Sequence, residues 1–283
     1  MTGTAIPKEI PGVKEVHAVD AAGVHPLLLA IGSERYTPYA PTKQPAELLT
    51  IANHILGTGQ LSLAKFLFIT ADPTNQLTTH HEAEFFQYIL ERIHLDRDIH
   101  FHTNTTIDTL DYSGTGLNSG SKVVFAAYGD PIRTLDTELP SCFSNVNGVQ
   151  DFKMIMPGVA AFTAKPFVDA QTTLAEIVQL NAQLSTTLDQ SKGTPLLIWC
   201  DDATFTAKNL RNFLWVAFTR CNPSHDIHGI AASYNNKHWG CAGPLIIDAR
   251  IKPHHAPAVE LDPEMVKKTD KFFAKGGSLS EII

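Results

Sequence analysis

Phe66-Leu67-Phe68-Ile69-Thr70-Ala71 is an unbroken apolar run closed by Asp72-Pro73, and Leu196-Leu197-Ile198-Trp199-Cys200 is a second, closed by Asp201-Asp202. Runs of this length without polar alternation read as strands buried on both faces, the condition of a parallel sheet covered by helices. Outward from the first run, 27–31 (LLLAI) is another short apolar strand, and 45–56 (PAELLTIANHIL) has helical spacing at Leu48, Ile51, Ala52, Ile55 and Leu56. Pro45 suits a first helical position and Gly57 a stop. Residues 83–93 return to helical spacing, and 123–127 (VVFAA) reads as a further buried strand.

The same order surrounds the second run. Residues 159–163 are strand-like, 172–188 form a long amphipathic helix, 210–219 are helical, and 245–247 (LII) make the last strand. Individual residues correspond as well: Arg92, Asp98, Ile99 and His100 with Arg220, Asp226, Ile227 and His228, and Phe85 with Phe213, each seven before its Arg. Leu67 and Leu197 lie 130 apart, Arg92 and Arg220 128, Gly120 and Gly243 123. A period near 130 with a shrinking loop is the duplication of a whole α/β unit, not a short-period solenoid. The expected fold is therefore α/β: two tandem three-layer α/β/α domains, 1–135 and 136–283, joined near 131–157 where Pro, Gly and Asn accumulate. Each duplicated Arg ends an apolar helix, where a cation favours the carbonyl-rich terminus. The spacing predicts that Arg92 meets Asp98, and Arg220 meets Asp226, as partly buried pairs.

Composition bounds the function. The chain has 283 residues, 43% hydrophobic and 18% charged, which suits a globular protein with a real core and excludes a disordered one. No stretch reaches the roughly 18 uncharged apolar residues of a membrane helix. Lys plus Arg (22) against Asp plus Glu (29) gives −7, so a surface that coats nucleic acid is not expected. Cys142, Cys200, Cys221 and Cys241 form no CxxC pair, and MTGTAIPKEIPG carries no basic patch before an apolar segment. The expectation is free thiols and a cytoplasmic location.

The local motifs carry little chemistry by themselves. SGTGLNSGSK (113–122) invites a phosphate-loop reading, but a strand rather than a helix follows it, so no helix dipole would face a ligand. Six of the thirteen histidines cluster, at 80–81, at 100 and 102, and at 254–255, without the ligand spacing of a zinc site; only His100 and His102 would share a strand face. Asp201-Asp202 ends a strand where open α/β sheets take ligands, or begins the turn into the next helix. Phe213, Trp215 and Trp239 are expected in core or interface.

Taken together, AKFLFITAD, ERIHLDRDIHF, TTIDTLD and GSKVVFAA, with Leu214-Trp215-Val216-Ala217-Phe218-Thr219-Arg220-Cys221-Asn222-Pro223-Ser224-His225-Asp226 in the second copy, resemble the C-terminal domain of the UbiD family of decarboxylases. The two matches span most of residues 25–255. The resemblance implies reversible, non-oxidative decarboxylation of aromatic or α,β-unsaturated acids on prenylated FMN, with quinone-precursor aromatic acids the family's commonest association. The family's catalytic Arg, its two Glu and its divalent metal sit in a separate cofactor domain, and nothing in these residues matches them. The implied partners are a second copy of the chain, in a homo-oligomer, and an upstream or separately encoded prenyl-FMN-binding domain. Ile107, Asp108, Leu110 and Asp111 fall in the loop that would face the substrate, with Leu110 an apolar wall; Gly120, Ser121 and Lys122 match the family's Gly-Ser-Lys on the cofactor side. Asp108 and Asp111 equally suit a turn that bonds its own backbone. Two functions stay open: a portion of a carboxy-lyase, or a non-catalytic assembly module of the same fold.

Overall fold

The protein's computed structural model describes residues 5–36, 39–257 and 261–281. The first half runs α1 (Ile6–Glu9), β1 (Glu15–Ala18), β2 (Leu27–Ile31), α2 (Ala46–Leu56), β3 (Phe66–Thr70), α3 (Glu82–Arg92), β4 (Ile99–Thr105) and β5 (Gly120–Ala127). The second begins with β6 (Asp151–Met156), β7 (Val159–Thr163), α4 (Ala170–Leu184), α5 (Leu188–Ser191) and β8 (Leu196–Cys200). It continues with α6 (Ala203–Ala207), α7 (Leu210–Thr219), α8 (Pro223–Asp226), β9 (Ile227–Gly229), β10 (Ala232–Asn235), β11 (His238–Cys241) and β12 (Leu245–Asp248). A last helix, α9 (Pro263–Phe273), follows.

Two five-stranded sheets result, ordered β1-β2-β3-β5-β4 and β6-β7-β8-β12-β9. In each, the first pair is antiparallel, the next two pairs are parallel and the last is antiparallel. The duplication is therefore structural. The ladders refine the sequence correspondence: Val124 pairs with Leu67 as Ile246 pairs with Leu197, so Ser121 corresponds to Gly243 and Lys122 to Pro244. Gly120 accordingly matches Ala242, one residue away from the Gly243 that the glycine spacing suggests.

Strand alternation explains why the strands read as continuous apolar runs. Leu27, Leu29, Phe66, Phe68 and Phe125 turn one way into a central core, while Leu28, Leu67, Ile69 and Val124 turn the other way onto α1 and α2. In the second sheet Leu196, Ile198 and Ile247 face the same central core, and Leu197, Trp199 and Ile246 face α4. Helices cover both faces of each sheet, and the inner helices are shared. Phe218 of α7, in the second copy, meets Phe66 of the first sheet edge-on at 4.9 Å, and Phe86 of α3 meets Phe213 at 6.0 Å. The order of layers is helices, sheet, α3 with α7, sheet, helices.

Several expectations need correction. β6 lies inside the stretch expected to join the two halves, as the half-exposed edge strand of the second sheet. The helix expected over 172–188 begins at Ala170, where Asp169 accepts the Thr172 amide, and ends at Leu184. Pro45 is the residue before α2, not its first. Of the three aromatics expected in core or interface, Phe213 is fully buried, Trp239 packs edge-on against Phe101 of the first copy at 5.5 Å, and Trp215 is 50% exposed, outside the core of this chain.

The duplicated Arg and Asp occupy matching helix-to-strand junctions but do not pair with each other. Asp98 accepts the His94 amide at 2.9 Å and Asp226 the Asn222 amide at 2.7 Å, closing the same turn in both copies. Asp98 takes its charge partner from Arg97 at 2.6 Å, Asp226 from Lys252 at 3.4 Å. Arg92 instead meets Glu91, and Arg220 meets Asp201. A carboxylate four residues past an amide caps the turn locally, which leaves the Arg free to turn elsewhere.

Candidate functional site between the two copies

The loop from Thr106 to Ser119 joins β4 to β5, and Ile107 anchors it at 1% exposure. A methyl on Gly120 would lie 2.9 Å from Ile107 Cδ1, and one on Gly114 would lie 2.2 Å from the Ser119 carbonyl oxygen. The glycines of SGTGLNSGSK are thus needed for close approach in a turn that leads into a strand. Asp108 bonds the His25 ring and accepts the Leu110 amide at 3.1 Å. Burial disfavours its charge, but these bonds outweigh it and hold the carboxyl below its ordinary value. Asp111 sits 2.8 Å from Nζ of Lys65, itself 1% exposed, and 2.6 Å from the Ser113 hydroxyl. Leu110 projects from this pinned loop, 76% exposed.

Gly-Ser-Lys does something different. The Ser121 hydroxyl bonds the Asn222 side chain and accepts the Ser224 amide at 2.8 Å, so this residue is a joint between the copies. Lys122 turns to the Ser62 carbonyl, and burial alone lowers its ammonium to about 8. Ser121 and Lys122 therefore have separate partners, and the structure does not gather Gly120, Ser121 and Lys122 around one point. Asp202 accepts the Phe205 amide at 2.8 Å and so begins α6, while Asp201 accepts the Ile251 amide at 2.9 Å from a distant part of the chain.

Between this loop and the second copy lies a cavity of about 850 Å³. Tyr112 and Leu117 wall it from the first copy, Phe167 and Leu174 from the second, and Asp226, His228 and Lys252 provide polar surface. It lies beyond the C-terminal ends of β7 and β12, where open α/β sheets take ligands. Lys252 is 4% exposed; its Nζ donates to the Asp248 carbonyl at 3.0 Å and lies 3.4 Å from Asp226. Burial raises the Asp226 carboxyl above its ordinary value despite that cation. Behind this floor, Arg250 is 1% exposed, stacks 3.5 Å from the Trp199 ring centroid and bridges Asp248 and Glu176. Lys65, His25, Asn222, His228 and Lys252 escaped sequence reasoning. A lone lysine directly before an apolar strand was the signal available for Lys65.

Among the described residues, those that the resemblance puts on the cofactor side form no cradle for a flavin phosphate or a divalent metal. Lys122 is committed to a carbonyl, Ile107 fills the space beside Gly120, and among the described residues no group of three or more His, Cys, Asp or Glu has metal-holding geometry. Among those residues no helix is long and apolar enough to cross a membrane.

Residues 1–127 match the 3-octaprenyl-4-hydroxybenzoate carboxy-lyase C-terminal domain. The chain is 33% identical over 267 residues to a 4-hydroxybenzoate decarboxylase subunit of Chlamydia pneumoniae, covering 94% of this chain and 41% of that protein. It is 30% identical over 272 residues to an uncharacterized protein of Chlamydia muridarum, covering 95% and 43%. The chain thus spans about two fifths of the length of these relatives. Solved structures matched include the UbiD-class enzyme HmfF from Pelotomaculum thermopropionicum in complex with FMN, at 15% identity and TM-score 0.35, over 50% of this chain and 27% of that one. Vanillic acid decarboxylase of Sedimentibacter hydroxybenzoicus matches at 20% identity and TM-score 0.33, over 50% and 28%. The chain is similar to the C-terminal portion of UbiD-family carboxy-lyases, and its residues 1–127 match that family's C-terminal domain.

Proposed function

We propose that this chain is the assembly and pocket-closing C-terminal portion of a UbiD-type non-oxidative decarboxylase acting on aromatic or α,β-unsaturated carboxylic acids. The observation that carries this reading is the alignment, over 94% of this chain, with part of a protein named as a decarboxylase subunit. Prenylated FMN and its metal would be held by an upstream or separately encoded domain, a reading supported by the described residues, which do not form their cradle. The role of this chain is then to position. Ile107 and the pinned Asp108 and Asp111 fix the loop, and exposed Leu110 offers an apolar edge to a substrate ring in the facing domain. In this reading Gly120 seats Ile107, Ser121 ties the loop to the second copy, and Lys122 supports the sheet edge away from the cofactor.

An assembly role has its own support. Leu261, Met265, Phe272 and Phe273 are exposed on and beside α9, whose apolar residues recur at helical spacing, and such a face is expected to be covered in a homo-oligomer. Ile282, in the same C-terminal tail, lies outside the described residues.

The test is reconstitution. The chain should retain no stoichiometric flavin alone after anaerobic incubation with reduced prenyl-FMN. Joined to a UbiD-type cofactor domain, it should support CO2 release from a panel of benzoates and cinnamates, and Leu110→Asp should lower kcat/KM. CO2 release by the chain alone, or equal activity of the cofactor domain without it, would overturn the proposal. Light scattering should show self-association at micromolar concentration; a monomer would refute the assembly role.

A further inference from the structure

A second cavity lies in the first copy, beyond the C-terminal ends of β2, β3 and β5, the edge where open α/β sheets take ligands. Its volume, about 430 Å³, falls within the range of small-molecule sites. Ala71, Pro73 and Tyr128 give it apolar and aromatic walls, and Lys14, Glu34, Arg35 and Asp72 are its charged lining. Asp72 is spent within the protein. Its oxygens accept the Thr74 amide at 2.8 Å and hydroxyl at 2.6 Å, the Gln76 amide at 2.6 Å and the Leu77 amide at 2.8 Å. Burial opposes its charge, but these bonds outweigh it and hold the carboxyl at about 2.

The other three keep bonding capacity. Among the described residues none of Lys14, Glu34 and Arg35 belongs to an ion pair. Lys14 Nζ donates to the Asp72 carbonyl at 3.3 Å and to the Asn75 side chain at 2.9 Å, which fixes the ammonium at the cavity and leaves its third N–H. Arg35 is exposed, and buried Glu47 pins the turn beneath it by accepting the Arg35 amide and, at 2.6 Å, the Ser33 hydroxyl. Glu34 accepts the Glu47 and Leu48 amides at 3.0 and 3.1 Å, one on each oxygen, so each oxygen keeps a lone pair. Burial raises this carboxyl above its ordinary value despite those bonds, as expected of a charge short of a cation.

Two cations with spare donors and one carboxylate with spare acceptors thus line the same opening. A bare carboxylate would meet Glu34, and a bare amine would meet Lys14 and Arg35; a ligand with both charges on neighbouring atoms satisfies all three. We propose that the cavity at the C-terminal edge of the first sheet binds a free α-amino acid with an apolar side chain. Its carboxylate is held by Arg35 and Lys14, its ammonium by Glu34, and its side chain lies against Pro73 and Tyr128. The cavity shares no lining residue with the one between the copies, and none with the loop from Ile107 to Asp111. Binding is read on this chain alone, so the site stands whether or not the chain belongs to a decarboxylase.

The probe is L-phenylalanine, with hydrocinnamate as the analogue lacking the ammonium and phenethylamine as the one lacking the carboxylate. In calorimetric titrations of the full chain at pH 7, L-phenylalanine should saturate at one site per chain. Each analogue should bind at least about tenfold more weakly, the factor that 1.4 kcal/mol represents. Arg35→Gln, at an exposed position and so harmless to folding, should weaken L-phenylalanine by roughly tenfold and leave phenethylamine no weaker. Glu34→Gln, which keeps an oxygen for the α2 amides, should weaken L-phenylalanine by roughly tenfold and leave hydrocinnamate no weaker. General damage to the fold would not produce that split. Leu174→Asp, in the cavity between the copies, should leave L-phenylalanine binding unchanged. Non-saturable binding, an analogue as tight as L-phenylalanine, variants that weaken all three probes alike, or lost binding in Leu174→Asp would each overturn the assignment.

Discussion

Lys65→Met is the sharpest probe of how the loop is held. Lys65 and Asp111 have side chains 1% and 5% exposed and lie 2.8 Å apart, with Lys65 Nζ also 2.6 Å from the Ser113 hydroxyl. Met keeps the length and apolar stem of Lys but removes its charge. Asp111 is then left as a nearly dry carboxylate whose remaining side-chain partner is Ser113, and breaking such a pair from one side costs about 3–5 kcal/mol. With a urea dependence of roughly 3 kcal/mol per M, the unfolding midpoint should fall by roughly 1–1.7 M. The double variant Lys65→Met/Asp111→Leu removes both charges and should recover most of the loss, since an apolar replacement of a buried pair is often neutral. Urea unfolding followed by tryptophan fluorescence measures all three proteins. A loss below about 1 kcal/mol for Lys65→Met, the range of exposed pairs, would refute the reasoning. So would a double variant no more stable than the single one.

The turn-closing carboxylates give a second comparison. Asp98→Ala and Asp226→Ala should each lose about 2–4 kcal/mol, whereas Arg220→Ala, whose pair with Asp201 is 24% and 32% exposed, should lose about 0–1 in the same unfolding assay. Gly240→Ala would place a methyl 2.5 Å from Asp96 Cα, so it should cost about 1–3 kcal/mol and lower Tm by pushing the β10–β11 hairpin off the first copy. Burial holds His100 and His228 at about 4, below the ordinary 6.5. An imidazole that is neutral when folded takes up its proton on unfolding, so this stability is complete above about pH 6.5 and is lost progressively toward pH 4. Urea midpoints measured from pH 7.5 to 4.5 should fall across that window, less steeply in His100→Phe; a flat profile would show the imidazoles to be solvated.

The sequence by itself determined the strands and helices that face the core, and it showed that the unit occurs twice. Apolar runs such as 66–71 and 196–200 are local facts, legible because a strand buried on both faces cannot alternate. The edge strands β1 and β6 were not legible, because four to six half-exposed residues give too weak a period to stand out from a loop. Only the tertiary structure decided that Phe218 of one copy packs on Phe66 of the other, since apolar contact is non-directional and a pattern names the buried face but not what covers it. The candidate site divides in the same way. Ile107 to Asp111 could be placed on a loop from the resemblance, but their partners Lys65 and His25 lie 46 and 83 residues away from Asp111 and Asp108. The duplicated Arg and Asp were aligned correctly and paired wrongly. Charge attraction specifies no sequence separation, so the nearest opposite charge in three dimensions takes the bond, and the fold alone sets which one that is.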